Sequence, residues 1–257
     1  MSADRAVSET IGFVFVFALV TASVGVVYTA GIGGLADARE DEQLTNAVRA
    51  FDVLADNVDD VAESGAPSRA TELKLKDSTL RYGEQIRIAV QVNDTASDAN
   101  ASYATTTRPL VYDAPAGEVV FAGGATFRVD DGNAAMRAEP GFVVGDGESN
   151  VSMIPLLTVY PRGSGGGIGG SSTVLVVAYR KSAGHATPFE TGLDPDASDA
   201  RVNVTVESPR ADAWGWYFET RGMERVAAES GDGKVTYQFY TDRLVVPELI
   251  VELDLKR

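Results

Sequence analysis

From Ile11 to Leu35 no position carries a charged side chain, and apolar residues fall on nearly every face a helix would have. A helix needs about 20 predominantly apolar residues to cross the hydrocarbon core of a bilayer, so this run predicts a transmembrane helix. The pattern then changes without a break. From Ala36 to Glu63 there is neither Pro nor Gly, and Leu44, Val48, Phe51, Leu54, Ala55, Val58 and Val61 recur at three- and four-residue intervals. Asp52, Asp56 and Asp59 lie between them. Such spacing predicts an amphipathic helix with one apolar stripe, stopped by Ser64-Gly65-Ala66-Pro67.

Beyond Pro67 the period shortens to two. Glu72–Lys76, Gln85–Val92, Thr126–Val129 and Arg201–Val206 alternate polar and apolar positions, the signature of strands with one wet face. Val174–Tyr179 is a continuous apolar run and predicts a central strand. Lys234–Tyr240 and Leu249–Leu255 add two more, with Pro247 between them at a turn or an edge. Arg81-Tyr82-Gly83-Glu84 is a candidate hairpin turn, while the polar stretch Asn93–Thr107 and the glycine-rich Gly163–Ser172 predict exposed loops. Ser208-Pro209 predicts a cap followed by Pro at the first helical position, and Ala211–Thr220 is the short helix, carrying Trp214, Tyr217 and Phe218. Trp214 and Phe218, four apart, share a face that plugs the sheet; an aromatic platform for carbohydrate is the alternative. The fold class predicted is α+β: a long N-terminal helix, membrane-spanning then amphipathic, followed by an antiparallel β-sandwich-like domain with one short helix.

Charge narrows the partners. The chain has 37 acidic and 22 basic residues among 257, a net charge of −15. Nucleic-acid affinity comes from Lys and Arg neutralising phosphates, so nucleic acid is not an expected partner, and an anionic lipid surface is disfavoured for the same reason. There is no Cys, which removes disulfides and thiolate chemistry. The Asp-rich, Lys-poor, Cys-free composition resembles that of proteins from extremely halophilic archaea, whose acidic surfaces are screened over about 3 Å in molar salt.

The apolar run admits three readings. A cleaved secretory signal would be cut after Ala36-Asp37-Ala38, but a signal's apolar region spans only about 7–15 residues. A plain N-terminal anchor is the second. The third rests on Arg5-Ala6-Val7-Ser8-Glu9-Thr10-Ile11-Gly12, which resembles the processing site of archaeal type IV pilin-like proteins. That resemblance implies a cut between Ala6 and Val7 by a prepilin peptidase, with the helix retained as an assembly core. Many such proteins have Gly where this chain has Ala6. Their bacterial counterparts carry a Glu at the fifth position after the cut, whereas Glu9 is at the third. Val7–Leu35, Ala47–Asp60 and Pro67–Glu72 together resemble an uncharacterised family of haloarchaeal pilin-like surface proteins. The implied division is a leader at 1–6, a transmembrane helix at 7–35, an amphipathic extension at 36–64 and an extracellular β-rich domain at 65–257.

Within the apolar run Thr21, Gly25, Thr29 and Gly33 recur every fourth residue, a spacing that lets helices approach closely in lipid. Gly31, Gly33 and Gly34 could instead mark a break between two helical halves. Four sequons, at Asn93, Asn100, Asn150 and Asn203, are candidate glycosylation sites on an exported domain. Chemistry finds little to build on. Gly165-x-Gly167-x-x-Gly170 precedes a predicted strand rather than a helix, so it lacks the context of a dinucleotide fingerprint. His185 is the only histidine, and Asp194–Asp199 has Asp199 and Thr205 where a calcium-binding EF-hand loop wants Gly and Glu. Asp130-Asp131-Gly132-Asn133 predicts a turn, with weak calcium binding as an alternative at either acidic stretch.

The expectation is a non-enzymatic, single-pass membrane protein without a cofactor. Its roles are structural, in assembly or adhesion, and its partners the lipid bilayer, further copies or other pilin-like subunits, and the processing peptidase. The alternative is a monomeric anchored module binding carbohydrate or an ion. Lys and Arg counts on the two sides of the apolar run nearly tie, so the outward placement rests on the resemblance and the sequons rather than on charge.

Overall fold

The computed structural model describes residues 3–93, 100–145, 151–163, 165–183, 187–190 and 200–257. The helix α1 runs from Ala3 to Ala62. Eighteen strands follow among the described residues. In chain order the first nine are β1 (Ser68–Lys74), β2 (Ser78–Tyr82), β3 (Ile86–Asn93), β4 (Asn100–Thr107), β5 (Leu110–Ala114), β6 (Gly117–Ala122), β7 (Ala125–Asp130), β8 (Asn133–Ala138) and β9 (Val151–Met153). Next come β10 (Leu156–Pro161), β11 (Ile168–Gly170), β12 (Thr173–Ala183), β13 (Thr187–Glu190) and β14 (Ala200–Glu207). Helix α2 (Ala211–Thr220) precedes β15 (Glu224–Arg225), β16 (Lys234–Thr241), β17 (Arg243–Val246) and β18 (Glu248–Lys256). The chain divides into two compact units, Met1–Gln43 and Leu44–Arg257.

In the first unit α1 stays helical through Gly31, Gly33 and Gly34, so no break separates the predicted halves there. The side chains of residues 11–35 are all exposed, among them Phe13 (70%), Phe15 (72%), Leu19 (70%) and Val27 (72%). A helix apolar all round must be covered by lipid or by other protein.

The second unit has two cores that share one sheet. One lies between the Leu44–Ala62 part of α1, the four-stranded sheet β1-β12-β18-β10, and one face of the six-stranded sheet β11-β2-β5-β6-β7-β8. All seven residues of the predicted stripe, Leu44 through Val61, are buried in it. Full burial stabilises by about 1.5–3 kcal/mol for each large apolar side chain. The other core lies between the opposite face of the six-stranded sheet, the five-stranded sheet β15-β16-β14-β3-β4 and helix α2. Along β5 and β6 the faces alternate: Leu110, Tyr112, Val119 and Phe121 enter the first core, Val111, Val120 and Ala122 the second. Burial on both faces makes these strands read as apolar runs without alternation, and the period-two pattern misses them. The turns joining β6 to β7 and β7 to β8 hold Gly123-Gly124 and Asp131-Gly132, all at positive φ (58°, 87°, 49° and 80°). Such paired left-handed residues suit two-residue hairpins, because their twist matches that of the strands.

The unit is mostly antiparallel, with two parallel pairs, β10 with β18 and β9 with β17. The exception has a clear cause. β9 continues into β10 past Pro155, and β17 into β18 past Pro247, so two long strands lie side by side and change sheets together. Backbone bonds from Ile154 N–H to Val245 C=O (3.0 Å) and from Leu156 N–H to Pro247 C=O (2.8 Å) carry the ladder across the change. Proline has no N–H to donate, so each strand leaves the three-stranded sheet β13-β17-β9 at its proline.

Other expectations need correction. Arg81 and Tyr82 end β2, which pairs with β5 and β11, whereas β3 pairs with β14 and β4. Arg81–Glu84 is therefore a crossing between sheets rather than a hairpin. Asn100–Thr107 is the edge strand β4, and its Ser and Thr positions leave one side wet. Ile168–Gly170, inside the predicted glycine loop, pairs with β2. There a Cβ on Gly167 would lie 3.1 Å from the Leu80 carbonyl oxygen. Val174–Tyr179 does lie centrally, between β1 and β18. Helix α2 starts at Ala211 rather than at Pro209. The Ser208 hydroxyl accepts from the Arg210 N–H at 3.1 Å, and the turn tightens before the helix begins.

Candidate functional site

The residues nominated from the sequence do not converge on one pocket. Ala6 and Val7 lie within the helical backbone of α1. Thr21, Gly25, Thr29 and Gly33 are exposed, and a Cβ added at Gly25 or Gly33 would meet nothing within 4 Å. Among the described residues nothing requires these two glycines to be small. The hydroxyls of Thr21, Ser23 and Thr29 donate back to the carbonyls of Phe17 (2.8 Å), Leu19 (2.8 Å) and Gly25 (3.0 Å). A hydroxyl satisfied within its own helix leaves no unpaired donor in hydrocarbon, where each would cost several kcal/mol. Polar residues in this run are thus compatible with lipid. Phe13 and Phe17 stack one turn apart at 6.2 Å. The described part of the chain has one helix long and apolar enough to cross a membrane, and it is this one.

The sequons separate by burial. Asn100 is exposed at the start of β4, and Asn93, half-buried, is its partner at the end of β3. Asn150 lies outside the described residues. Asn203 is only 6% exposed, mid-strand in β14 between β16 and β3, with a buried side-chain oxygen. That burial disfavours a glycan on Asn203 in the folded unit.

Helix α2 plugs the second core. Trp214 and Phe218 are fully buried, with ring centroids 5.9 Å apart, and Phe127, Phe142 and Tyr237 complete the cluster. A carbohydrate platform on Trp214 and Phe218 is excluded by that burial. The exposed aromatic of the helix is Trp216, 64% accessible, two residues on from Trp214 and so on the opposite face. That i, i+2 relation is legible in sequence, but the buried pair masked it. Trp216 borders a shallow hollow of about 190 Å³ with Asp212, Glu219 and Arg225. Tyr237 donates to Glu219 Oε1 at 2.7 Å, and burial together with that carboxylate pushes its hydroxyl up to about 12.

A charged chain ties α2 to the middle sheet. Arg81 Nη2 donates to Asp113 and to Glu118, each at 3.1 Å, and Arg210 Nη2 donates to the other oxygen of Glu118 at 3.1 Å. Arg210 is largely buried, which pulls its guanidinium below its ordinary value while Glu118 opposes the shift. The arrangement ties the layers together. Asp131-Gly132 is the hairpin turn already described, while Asp194–Asp199 and His185 lie outside the described residues. Gly165–Gly170 leads into β11 and β12, with no helix N-terminus to receive a pyrophosphate. Among the described residues no three His, Cys, Asp or Glu side chains gather as metal ligands would.

One family model matches residues 5–254, almost the whole chain, and its description is a family of unknown function (DUF7289). The match takes in the apolar part of α1 and the β-rich unit together. No curated protein matches the chain, and no solved structure does.

Proposed function

We propose that this chain, which belongs to the family of unknown function DUF7289, is a membrane-inserted, pilin-like surface protein with a structural role in assembly or adhesion. The observation that carries the reading is the contrast within α1. Residues 11–35 are exposed and apolar on all sides, with their hydroxyls self-satisfied; Leu44–Ala62 of the same helix supplies a core to the β-rich unit. A cleaved signal would not be expected to share a helix with the core of the mature protein. On this reading the helix is retained, packs with copies of itself through Thr21, Gly25, Thr29 and Gly33 in lipid, and holds the acidic β-rich unit outside the cell. The peptidase cut between Ala6 and Val7, the archaeal and halophilic setting, and glycans on Asn93, Asn100 or Asn150 belong to the same proposal.

Mass spectrometry of the native N-terminus tests it. A mature protein starting at Val7, dependent on a prepilin peptidase, is the expected result. An intact Met1 or Ser2 would remove processing, and a start at Arg39 would turn the apolar run into an ordinary signal.

The second reading, a lone anchored module that binds carbohydrate, has Trp216 in its favour. An exposed indole beside Asp212, Glu219 and Arg225 offers a stacking face and hydrogen-bonding groups. Glycan-array binding that disappears in Trp216→Ala would favour it.

A further inference from the structure

Helix α2 departs from local preference at three positions. Gly215 sits at its middle, where glycine costs stability relative to alanine. Trp216 leaves most of an indole in water, although that ring is among the largest apolar surfaces a chain can bury. Glu219 puts a carboxylate in the last turn, against the helix dipole. Sequences break such rules mainly at strained or functional sites. Here the three departures line one hollow, the space of about 190 Å³ beside Trp216.

Gly215 keeps that hollow open. A Cβ there would lie 3.1 Å from the Tyr237 hydroxyl oxygen, the group that donates to Glu219 and holds its carboxylate in place. Tyr237 is buried and fixed in β16, so it forms a rigid floor. Asp212, four residues before Trp216, and Glu219, three after it, share its helical face. They set one carboxylate about a turn to either side of the indole. Arg225, on β15, lines the same hollow with a guanidinium. Burial and then Glu219 raise the Tyr237 hydroxyl, Arg225 opposes them and Asp212 adds to them, so all three charges lie within electrostatic reach of one group. The side chains of Asp212 and Arg225 have no hydrogen-bond or ion-pair partner among the described residues. The hollow therefore holds unanswered charge of both signs beside an open aromatic face.

We propose that the hollow binds a small zwitterion, with an ammonium group on the Trp216 face between Asp212 and Glu219 and a carboxylate on Arg225. Tryptophan is the best of the aromatic rings for holding a cation, and the two carboxylates deepen the attraction on either side of it. A guanidinium takes a carboxylate through paired N–H donors. A neutral sugar would leave Asp212 and Arg225 without counter-charge, whereas a zwitterion answers both. The volume sets the size. Sites for larger organic ligands run from about 300 to 1,000 Å³, so this one suits a molecule of a few carbons. The inference is independent of whether the chain assembles, and it competes with the carbohydrate reading for the same hollow.

NMR on the full-length protein in detergent, with isotope-labelled indole nitrogens, tests it. The chain has two tryptophans. Trp214 is fully buried and serves as the internal control, and Trp216→Phe identifies the other signal. Glycine betaine, which carries both charges, should move the Trp216 signal with a Kd of about 1–10 mM and leave that of Trp214 in place. Choline, which lacks the carboxylate, should bind about fivefold more weakly, and acetate, which lacks the cation, about tenfold. Arg225→Gln should bring betaine down to the level of choline, and Asp212→Asn should weaken both about threefold. Trp216→Ala should abolish saturation transfer to the betaine methyl groups without changing the melt of the β-rich unit. Equal binding of betaine and choline by the native chain would overturn the zwitterion. A Trp216 signal that betaine leaves unmoved would overturn the proposal outright, and movement of that signal by glucose instead would favour the carbohydrate reading.

Discussion

The two parts of α1 share one backbone geometry and live by opposite rules. Residues 11–35 are apolar on all faces and exposed on all of them. Leu44–Ala62 buries one stripe and turns carboxylates outward. Helical periodicity alone does not separate them; the width of the apolar arc does. A narrow arc can be satisfied by one sheet of the same chain, whereas a full circle needs a surrounding medium or other subunits. The contrast assigns stability to one part and, on the proposed reading, assembly to the other.

The sharpest way to break that assignment is truncation in each part. Phe51→Ala removes a fully buried ring and should cost the β-rich unit about 3–5 kcal/mol, read as a large drop in the midpoint of thermal or urea unfolding. Phe15→Ala, in the exposed run, should leave that midpoint unmoved, and a comparable drop would erase the distinction. Next in size is Arg210→Ala, which leaves one oxygen of Glu118 without its partner while Arg81 keeps the other. The Arg210 side chain is 14% exposed, and losing a partly buried partner should cost about 1–3 kcal/mol, measured in the same melt. Gly25→Leu should weaken self-association in detergent or lipid by about 1 kcal/mol without touching the melt of the β-rich unit, checked by analytical ultracentrifugation.

The smallest effect concerns Asp59 on α1. Burial among its neighbours, and then Glu63, Asp56 and Asp60, push it up from 3.8 to about 6. The folded state thus holds this proton more tightly than the unfolded chain does. Stability from this group is present below about pH 4, falls as pH rises through about 6, and stays lost above it. Because Asp59, though partly desolvated by its neighbours, still presents surface to solvent, screening keeps the effect below about 1 kcal/mol. Asp59→Asn should raise the unfolding midpoint slightly at about pH 8 and leave it unchanged near pH 3.5.

Legibility in the sequence followed the same division. The stripe from Leu44 to Val61 was readable because one face is buried and the other wet, which gives a clean period, and β3 was readable for the same reason; β14 keeps its alternation through Asn203 and Thr205, polar side chains that are themselves buried. β5 and β6 were not, since burial between two cores removes the alternation. The parallel pairs depend on two prolines, Pro155 and Pro247, lying beside each other in space, a relation no local pattern contains. On the surface the reading was poorer. Trp216 was hidden behind Trp214, and Asn203 carried a sequon whose burial only strand order reveals. Lys74, Lys181 and Lys256 meet on one sheet, interleaved with Glu72, Glu252 and Asp254, through the pairing of β1, β12 and β18, segments separated by about a hundred and by some seventy positions in the chain.

Scanning cysteine cross-linking along the membrane part of α1 tests the central claim most directly, because the native chain has no Cys. Full-length variants Thr21→Cys, Gly25→Cys and Thr29→Cys are compared with Leu19→Cys and Val27→Cys in native membranes. Dimer yields that peak at the three small positions and fall at the two large ones are the predicted result. Uniform yields, or no dimers at any position, would contradict assembly through this helix and leave a lone anchor.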